Sequence, residues 1–437
     1  MDKTILGPSD RPSLAKWIPL SFQHVFAMFG ATVLVPLLTG LSTSTALFTA
    51  GTGTLIYILI TGAKVPAFLG SSFAFIPALI AIGQKYGVPY AMGGAICAGL
   101  FYCLIALIIR FTGKDWLDKA LPPVVIGSVI IVIGLGLAPT AVNQAMYAGS
   151  DYSLVHVSIA FVTLAIAIIA TIFFKGFFNT LSILIGLLGG YIFTLIMGSF
   201  FDAYKLIDFT AVKEAKWFAL PFLQMDPDTK EYFWMAPKFN LVAILTFVIV
   251  SISTVCEHLG DTLSTSKVVG KDFYKDPGLH KTLTGDGVAT AWAALWGGPP
   301  NTTYGENVGV MAITKVYSVW VIGGAAVIAV LLSFCQKFGA LISTIPGPVL
   351  GGMCILLYGL IASSGLRTIV DSGVDYQDKR NLTISSVILV LGIGGATLQF
   401  KIGSEFNFAL GGVALATVIG ILLNLILPKS IDSAKEE

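Results

Sequence analysis

The chain has little charge. Asp, Glu, Lys and Arg make up 11% of its 437 residues, where soluble domains carry roughly 25%. The 26 basic residues nearly cancel the 24 acidic ones, for a net charge of +2. That balance argues against a nucleic-acid partner or any strongly charged one. Cysteine is scarce too. Cys97, Cys103, Cys256, Cys335 and Cys354 are scattered through apolar segments without paired or metal-ligand spacing, which excludes a disulfide framework and a zinc site. No GxxxxGK[ST] phosphate loop occurs, so neither direct ATP coupling nor an organic cofactor is expected. The opening MDKTILGPSDRPSLAK has no signal-peptide core or cleavage site, so the first apolar segment is expected to be retained.

What the chain does have is apolar surface. Hydrophobic residues make up 55% and the mean hydropathy is +0.85, more than a soluble fold can hide. With about 20 residues per crossing, the length allows roughly 12 to 14 spans. The apolar segments fall at 17–39, 43–62, 65–83, 90–110, 121–140, 153–174 and 178–200, and, after a polar stretch at 202–238, at 239–263, 286–298, 300–316, 318–340, 346–364, 381–397 and 406–427. The expected fold is therefore an all-α polytopic membrane protein of fourteen spans in two groups of seven. With both termini inside, 18 of the 26 Lys and Arg residues lie in inner loops, Lys3, Lys429 and Lys435 among them, and 8 outside, with Lys230 in the long outer stretch. The positive-inside rule supports that orientation. An odd number of spans per half forces the halves to insert oppositely, the pattern of an inverted repeat with its substrate site at the midplane.

The third segment of each half is abnormal. PAFLGSSFAFIP (Pro66 to Pro77) and GGPPNTTYGENVGVMA (Gly297 to Ala312) mix Pro, Gly and hydroxyl residues with aromatics. Such sequences suit an extended strand leading into a half-helix better than a full helix. Irregular backbone at membrane depth is tolerated only where protein buries it or it lines a wet cavity, and two matched breaks point to a binding site. Half-helices starting near Phe73 and Gly305 would aim free N–H groups at one point. Glu257 and Glu306 stand in long apolar stretches, where a charge costs at least about 2.5 to 3.5 kcal/mol, so they are expected on a substrate or proton path. Asp261 is one helical turn after Glu257 and shares its face, with Thr262 and Ser264 as possible hydroxyl partners. Three carboxylates in low dielectric cannot all stay ionised cheaply, which suits a proton-coupled cycle. Backbone N–H groups near Ser72 to Phe75 and Tyr304 to Gly305 can donate to carbonyls, and the glutamates can accept from N–H groups. A flat ring alternating carbonyl and N–H fits that set and could lie on Phe73, Tyr304 or Tyr358. EHLGD (Glu257 to Asp261) lacks the second His of a metalloprotease helix, so an intramembrane enzyme is not expected.

RPSLAKWIPLSFQHVFAMFGATVLVPLL (Arg11 to Leu38), FLGSSFAFIPA, VCEHLGD, KDPGLHKTLTGDG and PPNTTYGENVGVMAITKVYSVWVIGGAA resemble the nucleobase-ascorbate transporter family, also called nucleobase:cation symporter 2. The likeness runs over nearly the whole chain. ENVGVMAITK (Glu306 to Lys315) fits the family signature, and the Gln23–His24 pair is a second mark. The resemblance implies a core domain from 17–110 and 239–340, a gate domain from 121–200 and 346–427, and short antiparallel strands pairing segments 3 and 10. It also implies a homodimer through the gate domains in the bacterial cytoplasmic membrane, surrounded by lipid. By resemblance, Glu257 and Glu306 bind a pyrimidine, uracil, and the backbone at Phe73 and Gly305 contacts its carbonyls. Tyr304 and Tyr358 shape the wall, and Gln23, His24, Ser72 and Asn307 support the site. Proton coupling by Glu306, Asp261 and Glu257 is expected, with xanthine or urate as the competing substrates. Asp261 stands where some relatives carry His, so the protonation chemistry need not carry over unchanged.

Overall fold

The computed structural model describes residues 5–225, 232–402 and 406–428; Lys3, Lys230, Lys429 and Lys435 lie outside them. In the first half, α1 (Leu14–Thr39) and α2 (Thr43–Ile60) precede strand β1 (Leu69–Ser71), a 3-10 turn at Phe73–Phe75 and α3 (Ile76–Tyr86). There follow α4 (Val88–Thr112), α5 (Asp115–Ala120), α6 (Pro123–Leu135), α7 (Ala138–Met146) and the small hairpin β2 (Tyr147–Ala148) and β3 (Asp151–Tyr152). Next come α8 (Leu154–Phe173), α9 (Phe177–Thr180), α10 (Ser182–Phe200), α11 (Thr210–Glu214), β4 (Gln224–Met225) and β5 (Tyr232–Phe233). The second half holds α12 (Leu241–Val269), α13 (Leu279–Leu295), β6 (Asn301–Thr303), α14 (Gly305–Thr314), α15 (Val319–Ser333), α16 (Gln336–Ser343), α17 (Gly347–Asp371), α18 (Lys379–Ile393), β7 (Thr397–Ile402), β8 (Phe406–Gly411) and α19 (Gly412–Ile426). Among the described residues eight helices are long and apolar enough to cross a membrane, and α15 with α16 forms a pair bent by 86°.

Polar residues mark the ends. Asn240 caps α12 by accepting from Val242 N and Ala243 N, and Asp378 caps α18 by accepting from Arg380 N. The helices pack in two groups. In one, α13 lies on α4 and α2, α15 on α2 and α1, and α12 on α4; in the other, α17 lies on α6, α7 and α8, α10 on α8, and α18 on α19 and α6. Each group is drawn together by a reciprocal glycine contact. A Cβ on Gly99 of α4 would stand 2.4 Å from the carbonyl oxygen of Gly287 in α13, and one on Gly127 of α6 would stand 2.7 Å from that of Gly365 in α17. Helices in lipid gain from packing rather than from a hydrophobic force between them, so small residues that let backbones close up hold the bundle. Between the groups, α12 meets α6 and α19, and α1 meets α10.

Four apolar segments differ from the sequence reading. The segment at 286–298 belongs to a helix that starts at Leu279; its first turns carry Thr282, Thr284 and Asp286, whose polarity hides the helix from a hydropathy reading. The segment at 318–340 is the bent pair α15 and α16. Segments 381–397 and 406–427 end and begin in the antiparallel hairpin β7–β8, paired from Thr397↔Gly411 to Ile402↔Phe406.

Candidate functional site

The two broken segments cross in the middle of the first helix group. Strand β1 pairs antiparallel with β6 in the register Leu69↔Thr303, Gly70↔Thr302 and Ser71↔Asn301. Ser72 N donates to Pro300 O at 2.8 Å and Tyr304 N to Phe68 O at 3.0 Å, which extends the ladder at both ends. Threonines satisfy backbone groups that the short ladder leaves over, and an asparagine ties β6 to a helix carbonyl. Leu69 N donates to Thr54 Oγ1 at 2.9 Å and Asn301 Nδ2 to Thr49 O at 3.0 Å, both on α2, while Thr290 Oγ1 of α13 donates to Asn301 O at 2.8 Å. Extended backbone at this depth thus has its partners inside the protein.

Tyr304 fastens the crossing. Its ring lies over Gly70, where a Cβ would come within 2.5 Å of the ring. Its hydroxyl donates to Ser71 O at 3.0 Å and accepts from Thr32 Oγ1 of α1 at 3.3 Å. The side chain expected to shape a pocket wall is therefore engaged in holding strand to strand. Past the crossing each segment turns helical. Neither the 3-10 turn at Phe73 nor α14 is capped by the side chain of its N-cap residue, Ser72 or Tyr304, so no cap from the preceding residue competes there with an incoming acceptor.

Glu257 and Asp261 lie one turn apart on α12, which packs against α14, β6 and the Phe73 turn. Asp261 Oδ2 accepts from Thr303 Oγ1 at 2.8 Å, so its partner is on the facing strand and not Thr262 or Ser264 of its own helix. Asp261 Oδ1 would be 3.7 Å from a Cβ on Gly305, which puts this carboxylate beside the start of α14. Glu306 stands in the first turn of α14, where the helix dipole favours negative charge. Glu257, Asp261 and Glu306 are half-buried and Gly305 is exposed, and the three carboxylates lie within electrostatic reach of one another. Among the described residues Glu257 Oε2, Ser72 Oγ and the Tyr358 hydroxyl are buried without a hydrogen-bond partner. Phe73 and Tyr358 of α17 meet edge to face, ring centres 5.8 Å apart, which brings an aromatic from each helix group to the same place.

Behind Glu306, Asn307 Nδ2 donates to His24 Nδ1 at 3.0 Å and to His24 O at 3.2 Å. The two bonds tie α14 to α1 through His24. Gln23 beside it is half-buried. Sequence reasoning missed a second polar cluster. His258 Nδ1 and Asp286 Oδ2 share a hydrogen bond of 2.8 Å, both side chains wholly buried, and His258 Nε2 lies 3.1 Å from Thr282 Oγ1. The histidine of EHLGD thus faces Thr282 and Asp286 of α13. The available signal was Asp286 itself, an acid within a stretch otherwise fit for the interior.

A membrane protein in which two strand-broken segments cross beside interior carboxylates is of the multi-pass transporter class. Solved structures share the fold: the transmembrane domain of a cyanobacterium bicarbonate transporter, BicA (TM-score 0.59, 13% identity, covering 96% of this chain and 100% of that one), and SLC26A9 (TM-score 0.67, 10% identity, covering 94% and 65%). The sequence pattern described as the Permease family matches residues 15–401, and the chain belongs to that family, the nucleobase-ascorbate transporters. Its relatives include proteins named uracil permease from Bacillus subtilis (52% identity, covering 100% of this chain and 97% of the relative) and Escherichia coli K12 (44%, covering 98% and 94%). Those relatives are permeases and not enzymes, and so is this chain.

Proposed function

We propose that the chain imports uracil with protons across the bacterial cytoplasmic membrane. The observation that carries this reading is the meeting of Glu257 and Asp261 with the first turn of α14 at the strand crossing. Carboxylates on α12 and α14 then share the neighbourhood of two half-helix starts whose N-cap side chains make no cap bond. The ring N–H groups of uracil donate to Glu257 and Glu306, and its carbonyls accept from the backbone at Phe73 and Gly305. Phe73 and Tyr358 hold the flat ring, with Tyr304, Ser72, Asn307, His24 and Gln23 fixing the frame. The names of the relatives favour uracil over xanthine or urate.

Glu306 is the proton carrier in this reading, Glu257 the main substrate ligand, and Asp261 the third member of the titrating set. Protonation lowers the penalty for carrying the carboxylates through low dielectric and lets the loaded group move. The core (17–110 and 239–340) moves like an elevator against the gate (121–200 and 346–427), sliding where α12 meets α6 and α19. Fourteen spans in a seven-plus-seven inverted repeat, both termini cytoplasmic, and a homodimer through the gates complete the reading. The test is uptake of radiolabelled uracil into proteoliposomes with and without an inward proton gradient, with unlabelled xanthine as competitor. Accumulation that a protonophore abolishes and xanthine leaves alone is expected. Block by xanthine overturns the substrate, and indifference to the gradient overturns the coupling ion. Full-rate accumulation by Glu306→Gln overturns the carrier assignment.

A further inference from the structure

An apolar cavity of about 330 Å³ lies between α1 and α10, closed on its third side by α15 and α16. Phe22, Phe26 and Phe29 face Leu187, Phe338 and Ile342 across it. The one lining residue with a polar side-chain atom is Tyr191, whose hydroxyl already shares a 2.7 Å hydrogen bond with Thr344 Oγ1. A water needs two to four polar partners, and a cavity of roughly 150 Å³ lined by Leu, Ile and Phe stays dry and takes up benzene or xenon instead. This cavity is larger and equally apolar. Left empty, its walls would lose dispersion contacts, so its chemistry asks for a hydrocarbon occupant.

The mouth indicates which one. Phe22, Leu188 and Leu341 around it are 37%, 48% and 42% exposed, and the surface continues through Ile18, Ile192 and Leu331, all exposed apolar residues. In a membrane-spanning chain that surface borders the bilayer interior, so the cavity is continuous with the lipid-facing belt, and acyl chains are what stand at its entrance. We propose that the cavity seats one acyl chain of a membrane phospholipid, wedged between α1 and α10. The seat lies where the two helix groups meet, and Phe22 and Phe26 flank on α1 the turn whose His24 accepts from Asn307. A lipid chain there touches both groups and backs the helix that steadies α14. The inference requires only that the chain spans a membrane, not that it carries uracil.

The test reconstitutes the full chain in vesicles of phosphatidylethanolamine and phosphatidylglycerol containing a trace of phospholipid with a diazirine in mid-chain. Adducts are mapped after photolysis by peptide mass spectrometry. Labelling of α1 and α10 several-fold above that of lipid-facing α4 is expected. Leu187→Trp, which fills the cavity, should remove the excess, and Leu341→Trp at the mouth should do the same. Leu100→Trp on the exposed face of α4 should leave it unchanged. Even labelling of all lipid-facing helices, or an excess that survives both blocking variants, overturns the proposal. So does labelling by a diazirine hydrocarbon without a head group where the phospholipid gives none, since the cavity would then take free apolar molecules. The map of the unmodified protein decides the first point even if a blocking variant fails to fold.

Discussion

The two broken segments do unequal work. The first, β1 running into the Phe73 turn and α3, contributes Ser71, Ser72, Phe73 and Phe75, all buried, and no acid. The second, β6 running into α14, contributes Thr303, an exposed Gly305, a half-buried Glu306 and Asn307. Paired in register, they present a wall from one side and charge from the other. Similar backbones can thus carry different chemistry, and the charge sits where α12 can add Glu257 and Asp261 to it. The ladder itself has a shared supporter, since α2 supplies Thr54 to β1 and Thr49 to β6.

Removing charge from the second side should have the largest effect. Each glutamate is asked to hold uracil through charged hydrogen bonds worth roughly 1.5 to 3 kcal/mol apiece, so Glu257→Gln and Glu306→Gln should each lower uptake by at least about tenfold to a hundredfold. Ser72→Ala on the first side removes one unpaired hydroxyl and should cost less than either. Uptake by Ser72→Ala falling as far as by Glu257→Gln would erase the division of labour. Radiolabelled uptake normalised to folded protein in the membrane is the measurement.

Next in size is a pair of glycine substitutions, one on each segment. Gly70→Ala drives a methyl into the Tyr304 ring at 2.5 Å, and overpacking of that kind costs about 1 to 3 kcal/mol. Gly305→Ala meets only Asp261 Oδ1, at an ordinary 3.7 Å, and replaces Gly by the better helix former, a gain of up to about 1 kcal/mol. Gly70→Ala should therefore lower the detergent-solubilised melting temperature and Gly305→Ala leave it level or raise it. The reverse order would mean that the strand crossing is not the tight point it looks.

Much of this frame was legible in the sequence because hydropathy reports what faces lipid. The long apolar helices α1, α4, α8 and α10 fall within a few residues of their segments, and the Pro, Gly and Ser of Pro66 to Pro77 marked a break that hydropathy alone would have smoothed over. What stayed hidden is what polar residues do when they pair inside. Asp286 stands at the edge of an apolar segment, and its partner, His258, is 28 residues away on another helix, where no local pattern points to it. Thr303 lies in a stretch whose composition suits an extended strand, and nothing local marks it as the donor to Asp261. The hairpin β7–β8 was hidden for another reason: its strands are apolar enough to pass as the ends of spans. The Phe73–Tyr358 contact joins residues 285 apart in the chain, and no local pattern encodes such a meeting.

A smaller effect is expected behind the charged side, where Asn307 is held by His24. Asn307→Ala and His24→Ala each remove the link between α14 and α1, and the pair shares a net coupling of about 1 kcal/mol if one neutral hydrogen bond joins them. A double-mutant cycle on uptake should return that coupling, the double variant being little worse than the worse single one. Additive losses would mean that His24 acts on the substrate through some route other than Asn307.

The smallest effect belongs to the point where the two halves meet at the surface. Lys64, just before β1, and Asp276, between α12 and α13, form an ion pair of 2.5 Å with side chains 50% and 71% exposed. Exposed pairs of this kind contribute about 0 to 1 kcal/mol, because solvent screens them and ordering two side chains offsets the attraction. Asp276→Asn should therefore leave uptake and melting temperature nearly unchanged, and Lys64→Met likewise. If either change cost as much as Gly70→Ala, the halves would be held together from the rim, and the buried strand pair could no longer be taken as the joint that fixes one segment against the other.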